Sequence, residues 1–375
     1  MKNFIVIIIS IFLFSCEKEV KISLKGEWTL DSIIDYGDRK DHLFAEDEFD
    51  DIANFKILND SIIEFKSGFF DYLELTNRID KSSSSALYYL GTQTKYSLKD
   101  SLLIFYNKND NKKDTIRILK SDVDKISIQL KNKVTLNLKK INNKYFNSTK
   151  YDAVVVDRSP CLGYCPFNFT YIDRQGNFYF KNKGYNTIDG NIATKVSQDK
   201  VDYYFNIFDK IDIEKFEKTY QLSATDGQSN TISFFKNGKV VKTISTYLTS
   251  PIELKTVINE LSYAYQFMLD EIKYYSVLGD DYLFGMQFEN SNLRLLDSES
   301  DFLEVSLSMG KEVEIFFEPK YEMQVKAFYS EGPFKKILTD GRYYKFIKKD
   351  DSSFTIDLGY NFIEINPILK EDRYN

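Results

Sequence analysis

Between Leu24 and about Phe146 the chain repeats one pattern, short runs of alternating apolar and polar residues, each closed by a polar turn. Trp28 to Ile33, Ile62 to Phe65, Leu102 to Tyr106, Thr115 to Leu119, Ile126 to Leu130 and Val134 to Leu138 are such runs. A period of two sends every second side chain to the same side of an extended strand, and regular repetition of such runs predicts an antiparallel barrel or sandwich. Asn59-Asp60, Lys99-Asp100 and Asn109-Asp110 stand between runs, where Asn and Asp bond their own backbone and tolerate left-handed conformations. With 31 Phe and 27 Tyr against only 6 Pro and 16 Gly, the composition favours pleated sheets with aromatic faces over helical bundles. The 375 residues suffice for two or three domains.

After Tyr151 two helical stretches enter the pattern. Ser197 to Ile211 opens on a Ser cap and gathers Val201, Tyr204, Phe205, Ile207 and Phe208 on one face. Pro251 to Ile272 opens with Ser250 as cap and Pro at the first helical position, then repeats Leu254, Val257, Ile258, Leu261, Tyr265 and Met268. Strands at Ala153 to Asp157, Phe167 to Asp173, Asn177 to Lys181, Thr231 to Phe235 and Val240 to Tyr247 would form an antiparallel sheet with both helices on one face. Beyond Tyr274 alternation returns, with strands expected at Leu303 to Ser308, Glu312 to Phe317, Tyr343 to Ile347 and Phe362 to Ile365, among others. The expected fold class is therefore mainly β with α+β, divided into residues 24–146, 147–275 and 276–375, the last a β-rich C-terminal domain.

The first residues have another character. Lys2 precedes an apolar run from Phe4 to Phe14, and Ser15-Cys16 follows. This is the charge, apolar core and small-residue order of a secretory signal, far short of the roughly 20 apolar residues that cross a bilayer. Leu13-Phe14-Ser15-Cys16 resembles the lipobox of bacterial lipoproteins. That resemblance implies cleavage of residues 1–15, acylation of Cys16, a lipidated tether over 16–23 and a membrane held through N-terminal acyl chains. With Glu17-Lys18-Glu19 and no Asp after the cysteine, it also implies the cell envelope of a Bacteroidota-type bacterium, anchored to the outer membrane on its periplasmic or surface face.

Leu24-Lys25-Gly26-Glu27-Trp28 resembles the Gly-x-Trp opening of lipocalin-like domains, in which the tryptophan closes one end of a barrel. Arg158-Ser159-Pro160-Cys161-Leu162-Gly163-Tyr164-Cys165-Pro166, with Gly190, Thr225-Asp226, Tyr247 and Pro251-x-x-Leu254, resembles domain of unknown function 6438. That resemblance implies a module and no activity. Paired by the oxidising compartment that export implies, Cys161 and Cys165 would close a very short disulfide ring, with Gly163 bending the loop and Pro160 and Pro166 holding its ends extended. A redox dithiol and half of a soft-metal site are the alternatives.

Little else carries chemistry. The lone His42 excludes His-x3-His zinc hydrolases and three-His metal sites. The acidic run Asp38 to Asp51 lacks the spacing of a calcium loop and reads first as a solvated connection. The formal net charge of −6 and the absence of a basic stripe argue against nucleic acid. Ser32, Ser61, Ser101 and Thr115, each after Asp and before an aliphatic residue, resemble the O-glycosylation acceptor of exported Bacteroidota proteins, and equally resemble hairpin-turn chemistry. No catalytic set, cofactor site or complete metal site is expected. The expected function is a non-enzymatic binding or structural module with a protein or small apolar ligand as partner; the alternatives are a lipocalin-like carrier and a thiol oxidoreductase using Cys161 and Cys165. Metabolic labelling with a fatty acid should tag the wild type and not Cys16→Ala, and equal labelling of the two would end the anchoring expectation.

Overall fold

A computed structural model describes residues 24–35, 49, 51–76, 83–131, 133–141, 151–188, 190–268, 283–288, 295–327 and 334–366. The first strands are β1 (Gly26–Asp35), β2 (Phe55–Ile57) and β3 (Ile62–Phe65), followed by a hairpin of β4 (Phe70–Thr76) and β5 (Ser83–Tyr89). Then come β6 (Gln93–Lys99), β7 (Leu102–Asn107), β8 (Lys112–Ser121), β9 (Lys125–Gln129) and β10 (Thr135–Ile141). All except β4 and β5 close into an antiparallel eight-stranded barrel in the order β1-β10-β9-β8-β7-β6-β3-β2. Alternation delivers the buried set inward: Trp28, Phe55, Phe65, Phe105, Ile116, Ile128 and Leu136 belong to one core. Phe65 meets Phe105 with ring centroids 4.8 Å apart, and the Trp28 indole N–H donates to the Leu24 carbonyl at 2.8 Å.

The central unit contains β11 (Ala153–Arg158), β12 (Phe167–Asp173), β13 (Asn177–Gly184), β14 (Ile192–Lys195), α1 (Gln198–Phe208), β15 (Thr219–Gln221), β16 (Ser229–Lys236), β17 (Lys239–Tyr247) and α2 (Ile252–Ser262). Its seven-stranded sheet runs β14-β13-β12-β11-β16-β17-β15, antiparallel except where β15 joins β17 in parallel. One face presents Val154, Val156, Ile172, Phe178, Phe180, Ile232, Phe234 and Ile244, buried with Val201, Phe205 and Phe208 of α1 and Leu254, Val257 and Leu261 of α2. Both helices cover that one face, as their stripes predict. Asn237 and Gly238 both take positive φ, 50° and 74°, which is how the two-residue turn reverses the chain between β16 and β17.

The remaining elements are β18 (Leu283–Phe288), α3 (Asp297–Met309), β19 (Lys311–Glu312), β20 (Tyr321–Ala327), β21 (Phe334–Thr339), β22 (Tyr343–Lys348), β23 (Ser353–Asp357) and α4 (Phe362–Ile365). Their strands form an antiparallel six-stranded sheet, β18-β20-β21-β22-β23-β19. Three expected strands differ. Leu303 to Ser308 lies within α3, where Phe302, Leu303, Val305 and Leu307 are buried around the helix. A helix enclosed on several sides loses the one-sided stripe, and a short apolar run then reads as a strand. Phe362 to Ile365 is a short helix because the Asn361 side chain accepts from the amides of Ile363 and Glu364, both at 3.1 Å. Of Glu312 to Phe317 only Glu312 is in a strand, and Phe316 is 96% exposed.

The three units share cores. Ala153, Val155, Phe169, Tyr171 and Phe235, on the second face of the central sheet, belong to one buried cluster with Phe302, Val305, Tyr344, Phe346 and Phe362. On the other side, the end of β5 docks on α2. The Tyr89 amide donates to Gln266 Oε1 at 2.9 Å, its hydroxyl donates to Glu260 Oε1 at 2.8 Å, and its ring stacks on Tyr263 at 5.5 Å. Tyr203 donates to the other Glu260 oxygen at 3.0 Å. Burial raises the Glu260 carboxyl above its ordinary range, while the two tyrosine hydroxyls pull it back by bonding its charged form. Trp28 is 1% exposed and is the chain's single tryptophan. Trp28→Ala should therefore destabilise the protein by about 3 to 5 kcal/mol through the cavity left behind. Denaturation monitored by circular dichroism measures the loss, and wild-type emission typical of a water-exposed indole would contradict the burial.

Candidate functional site

Alternation along β11 places Val154, Val156 and Arg158 on the face covered by α1 and α2. Arg158 pairs across the sheet with Asn168 on one side and Asn230 on the other; Asn168 in turn faces Asn182, and Asn230 faces Thr246. The apolar rows of this face thus end in one row of polar residues spanning five strands. Beside that row opens a cleft of about 210 Å³, lined by Arg158, Asn230 and Thr246 from the sheet and by Ser250, Lys255 and Asn259 from the entry to α2.

Arg158 anchors the cleft. It is 9% exposed, its Nε donates to Gln228 Oε1 at 3.1 Å, its Nη2 donates to the same oxygen, and its guanidinium lies 5.1 Å from the Tyr263 ring centre. Its Nη1 is buried with no hydrogen-bond partner among the described residues, and so is Asn230 Oδ1. A buried donor of a permanently charged group is costly to leave unmatched, so this end of the guanidinium is poised for an acceptor. Lys255 adds a second cation, 3.7 Å from Asp51, and among the described residues lining the cleft none is a carboxylate. The residue at the start of α2 is Pro251 rather than the expected Ser250, and no side chain caps the first turn. The positive end of the helix dipole begins next to Ser250, which lines the cleft.

The cysteine loop is tied to this region through Gln228, which lines the cleft. Cys161 and Cys165 are joined by a disulfide with Cα atoms 5.8 Å apart, and Gly163 between them takes φ +139°. Gln228 Nε2 donates to the carbonyls of Ser159 and Pro166, both at 2.7 Å, tying the two ends of the loop together. The Leu162 amide donates to the Asp226 carbonyl at 3.1 Å, and the Gly227 amide to the Tyr247 hydroxyl at 2.9 Å. The cysteines, Asp226 and Tyr247, far apart in sequence, thus meet at one end of the sheet, with Pro251 at the mouth of the adjoining cleft. The loop leaves Leu162 and Tyr164 exposed, with Tyr164 edge-on to Tyr185 at 5.4 Å.

A second cleft of about 300 Å³ runs between the other sheet face and α3. Among the described residues, two carboxylates line it. Asp152 accepts from the Asn237 amide. Asp173 accepts from the amides of Gln175 and Asn177, both at 2.9 Å, from Asn177 Nδ2 at 2.7 Å and from the Tyr171 hydroxyl at 3.0 Å, bonds that build the turn and occupy this carboxylate.

Other expected positions are dispersed. Cys16, His42 and the acidic residues of the run from Asp38 to Asp51 lie outside the described residues except for Asp51, which is exposed, 3.7 Å from Lys255. Ser32 and Ser61 are exposed on the barrel, whereas Ser101 and Thr115 are half-buried. The Ser61 amide and hydroxyl both bond Asn59 Oδ1, and the Thr115 amide donates to Asp114 Oδ1 at 2.8 Å, which is local turn chemistry. Among the described residues no group of three His, Cys, Asp or Glu side chains could hold a metal ion. Sequence reasoning missed Gln228, Asn230 and Lys255 and treated Arg158 only as the border of the cysteine motif. The available signal was an arginine in phase with Val154 and Val156, where a core-facing position calls for an apolar residue.

Residues 152–265 match the family model described as a domain of unknown function (DUF6438). The matched segment contains the cysteine loop, Arg158, Gln228 and the start of α2. Among curated proteins none matches the chain. The disulfide closes so short a loop that its chain-entropy contribution is about 2 kcal/mol or less. A double Cys161→Ser, Cys165→Ser variant should fold with a slightly lower melting temperature, and mass spectrometry of unreduced wild type should recover the linked peptide. Two free thiols in the unreduced protein would favour the dithiol or metal alternatives.

Proposed function

We propose that the chain is a lipid-anchored envelope protein whose central module is a non-enzymatic receptor for a small anionic group, a carboxylate or a phosphate, held in the Arg158 cleft. The observation that carries this reading is the Arg158 Nη1, buried without a hydrogen-bond partner among the described residues, at a cleft whose charged lining residues among those described, Arg158 and Lys255, are cationic. A planar guanidinium matches the paired oxygens of a carboxylate or phosphate, and the start of α2 adds amide dipoles of the same sign. Leu248 and Ile258 in the cleft wall offer apolar surface to the remainder of a ligand. The lipobox-like Leu13 to Cys16 supports the anchor.

The barrel is compatible with a lipocalin-like binder, but Trp28, Phe55, Phe65 and Phe105 fill its interior with their own side chains. An apolar cargo would have to displace them, whereas the Arg158 cleft is open. This difference favours the central unit over the barrel as the binding module.

Binding to the native state raises the melting temperature in proportion to occupancy. At constant ionic strength, inorganic phosphate or succinate should raise the melting temperature relative to chloride, and Arg158→Gln should abolish the rise while retaining a cooperative transition. No rise with either anion, or the same rise in the variant, would overturn the assignment.

A further inference from the structure

The second face of the central sheet carries charges where its neighbours are apolar. Asp157 continues the row of Ala153 and Val155, and Lys181 and Lys183 continue the row of Tyr179; α3 covers them with Asp301 and Glu304. Lys183, Asp157 and Asp301 are 2%, 3% and 1% exposed at their side chains. Lys183 Nζ is in direct contact with Asp157 Oδ2 and lies 3.6 Å from Asp301 Oδ1. The rings of Phe167 and Phe169 flank the ammonium at 5.4 Å and 5.5 Å. Alongside, Lys181 bonds Glu304 at 2.9 Å.

An amine, a carboxyl carbon and a second carboxylic acid held together away from water are the components of an amide-forming reaction. We infer that Lys183 and Asp157 condense into an intramolecular isopeptide bond, with Asp301 as the proton shuttle. The reaction begins with Lys183 as ammonium, Asp157 as carboxylate and Asp301 as carboxylic acid. Asp301 gives its proton to Asp157 and takes one from Lys183, leaving a neutral amine beside a neutral acid. The Nζ lone pair attacks Cγ of Asp157, a second proton passes from nitrogen to the departing oxygen through Asp301, and the C–O bond breaks to release water. One N–C bond has formed, one C–O bond has broken, and Asp301 is protonated again at the end. No oxidant, reductant or further reactant is consumed.

Three physical features support the reaction. First, proximity replaces an encounter, because sheet and helix hold the nitrogen and the carboxyl group in contact. Second, burial raises the Asp301 carboxyl well above its ordinary range; the Lys183 charge opposes this, and the charge and hydrogen bond of Asp157 reinforce it, so an acid is retained where the reaction needs one. Third, two ions enclosed in a poorly solvating interior are replaced by one neutral amide, which removes the desolvation cost of the pair. Burial also pulls the Lys183 ammonium down, but the neighbouring carboxylates outweigh it and keep the amine charged, so proton transfer through Asp301 must precede attack.

The product is visible by peptide mapping of the full chain after reduction of the disulfide. Trypsin cannot cut at an acylated lysine, so residues 151–158 should be recovered joined to residues 182–195, lighter than the two separate peptides by the mass of one water. Lys183→Arg should give no branched peptide, and Asp301→Asn should lose most of it. Recovery of the unbranched peptides alone from wild type would overturn the inference, as would a branch at Lys181. An undiminished branch in Asp301→Asn would remove the role assigned to that acid. The wild-type digest decides the existence of the bond even where a variant fails to fold.

Discussion

A sheet has two faces, and the seven-stranded sheet of this protein can bury only one of them with the segment that follows it. Helices α1 and α2 cover Val154, Val156, Phe178, Phe180 and Ile232. The opposite face presents Val155, Phe169, Tyr171 and Phe235 together with Asp157, Lys181 and Lys183, and what covers it is α3, which lies outside the matched region 152–265. An exposed apolar surface of that size is unstable in water, and unpaired lysines and carboxylates would be equally unstable in an apolar interior. Helix α3 answers both demands at once: Phe302 stacks on Phe235 at 3.6 Å between ring centres, and Asp301 and Glu304 meet the two lysines. The C-terminal sheet then closes over α3, so the order of the architecture follows from one uncovered face.

The same sheet separates two kinds of chemistry. Toward α2, Arg158 ends a polar row that reaches an open cleft, with a buried donor left unmatched. Toward α3, the charged groups are enclosed and directed at each other. Adjacent residues on one strand, Asp157 and Arg158, serve the two sides because successive side chains of a strand point to opposite faces. The disulfide loop, which follows directly, fixes the end of β11 from which both project.

How much of this could be read from the sequence depends on how local each determinant is. Alternation in the first third specifies antiparallel strands, leaving barrel and sandwich both open, and the stripes of Val201 to Phe208 and Leu254 to Leu261 specify two helices on one face, because those signals lie within single elements. Helix α3 was not legible: its buried positions surround the helix, so Leu303 to Ser308 imitates a strand. The caps differ for a similar reason, since whether Ser250 or Pro251 begins the helix is decided by how the chain leaves β17. The cysteine motif marked the right end of the sheet, but the cleft depends on Asn230, Thr246 and Lys255, which converge only through the pairing of three strands and the docking of α2. Lys183 drew no notice in the sequence because its partners stand 26 residues upstream and 118 residues downstream, in α3.

The register of β1 against β10 has a mechanical consequence. Glu27 faces Ile141 and Asp35 faces Thr135, so the chain enters β1 and leaves β10 at the same end of the barrel. Tension between the segment that precedes β1 and the central unit would pull on that end and part the two strands rung by rung. Such peeling loads one hydrogen bond at a time, where shear would load the whole ladder together. The β4–β5 hairpin changes the path of the load. Through Tyr89 on Glu260, Gln266 and Tyr263 it ties the barrel to α2 at a second point, so part of any pull bypasses the weakest seam.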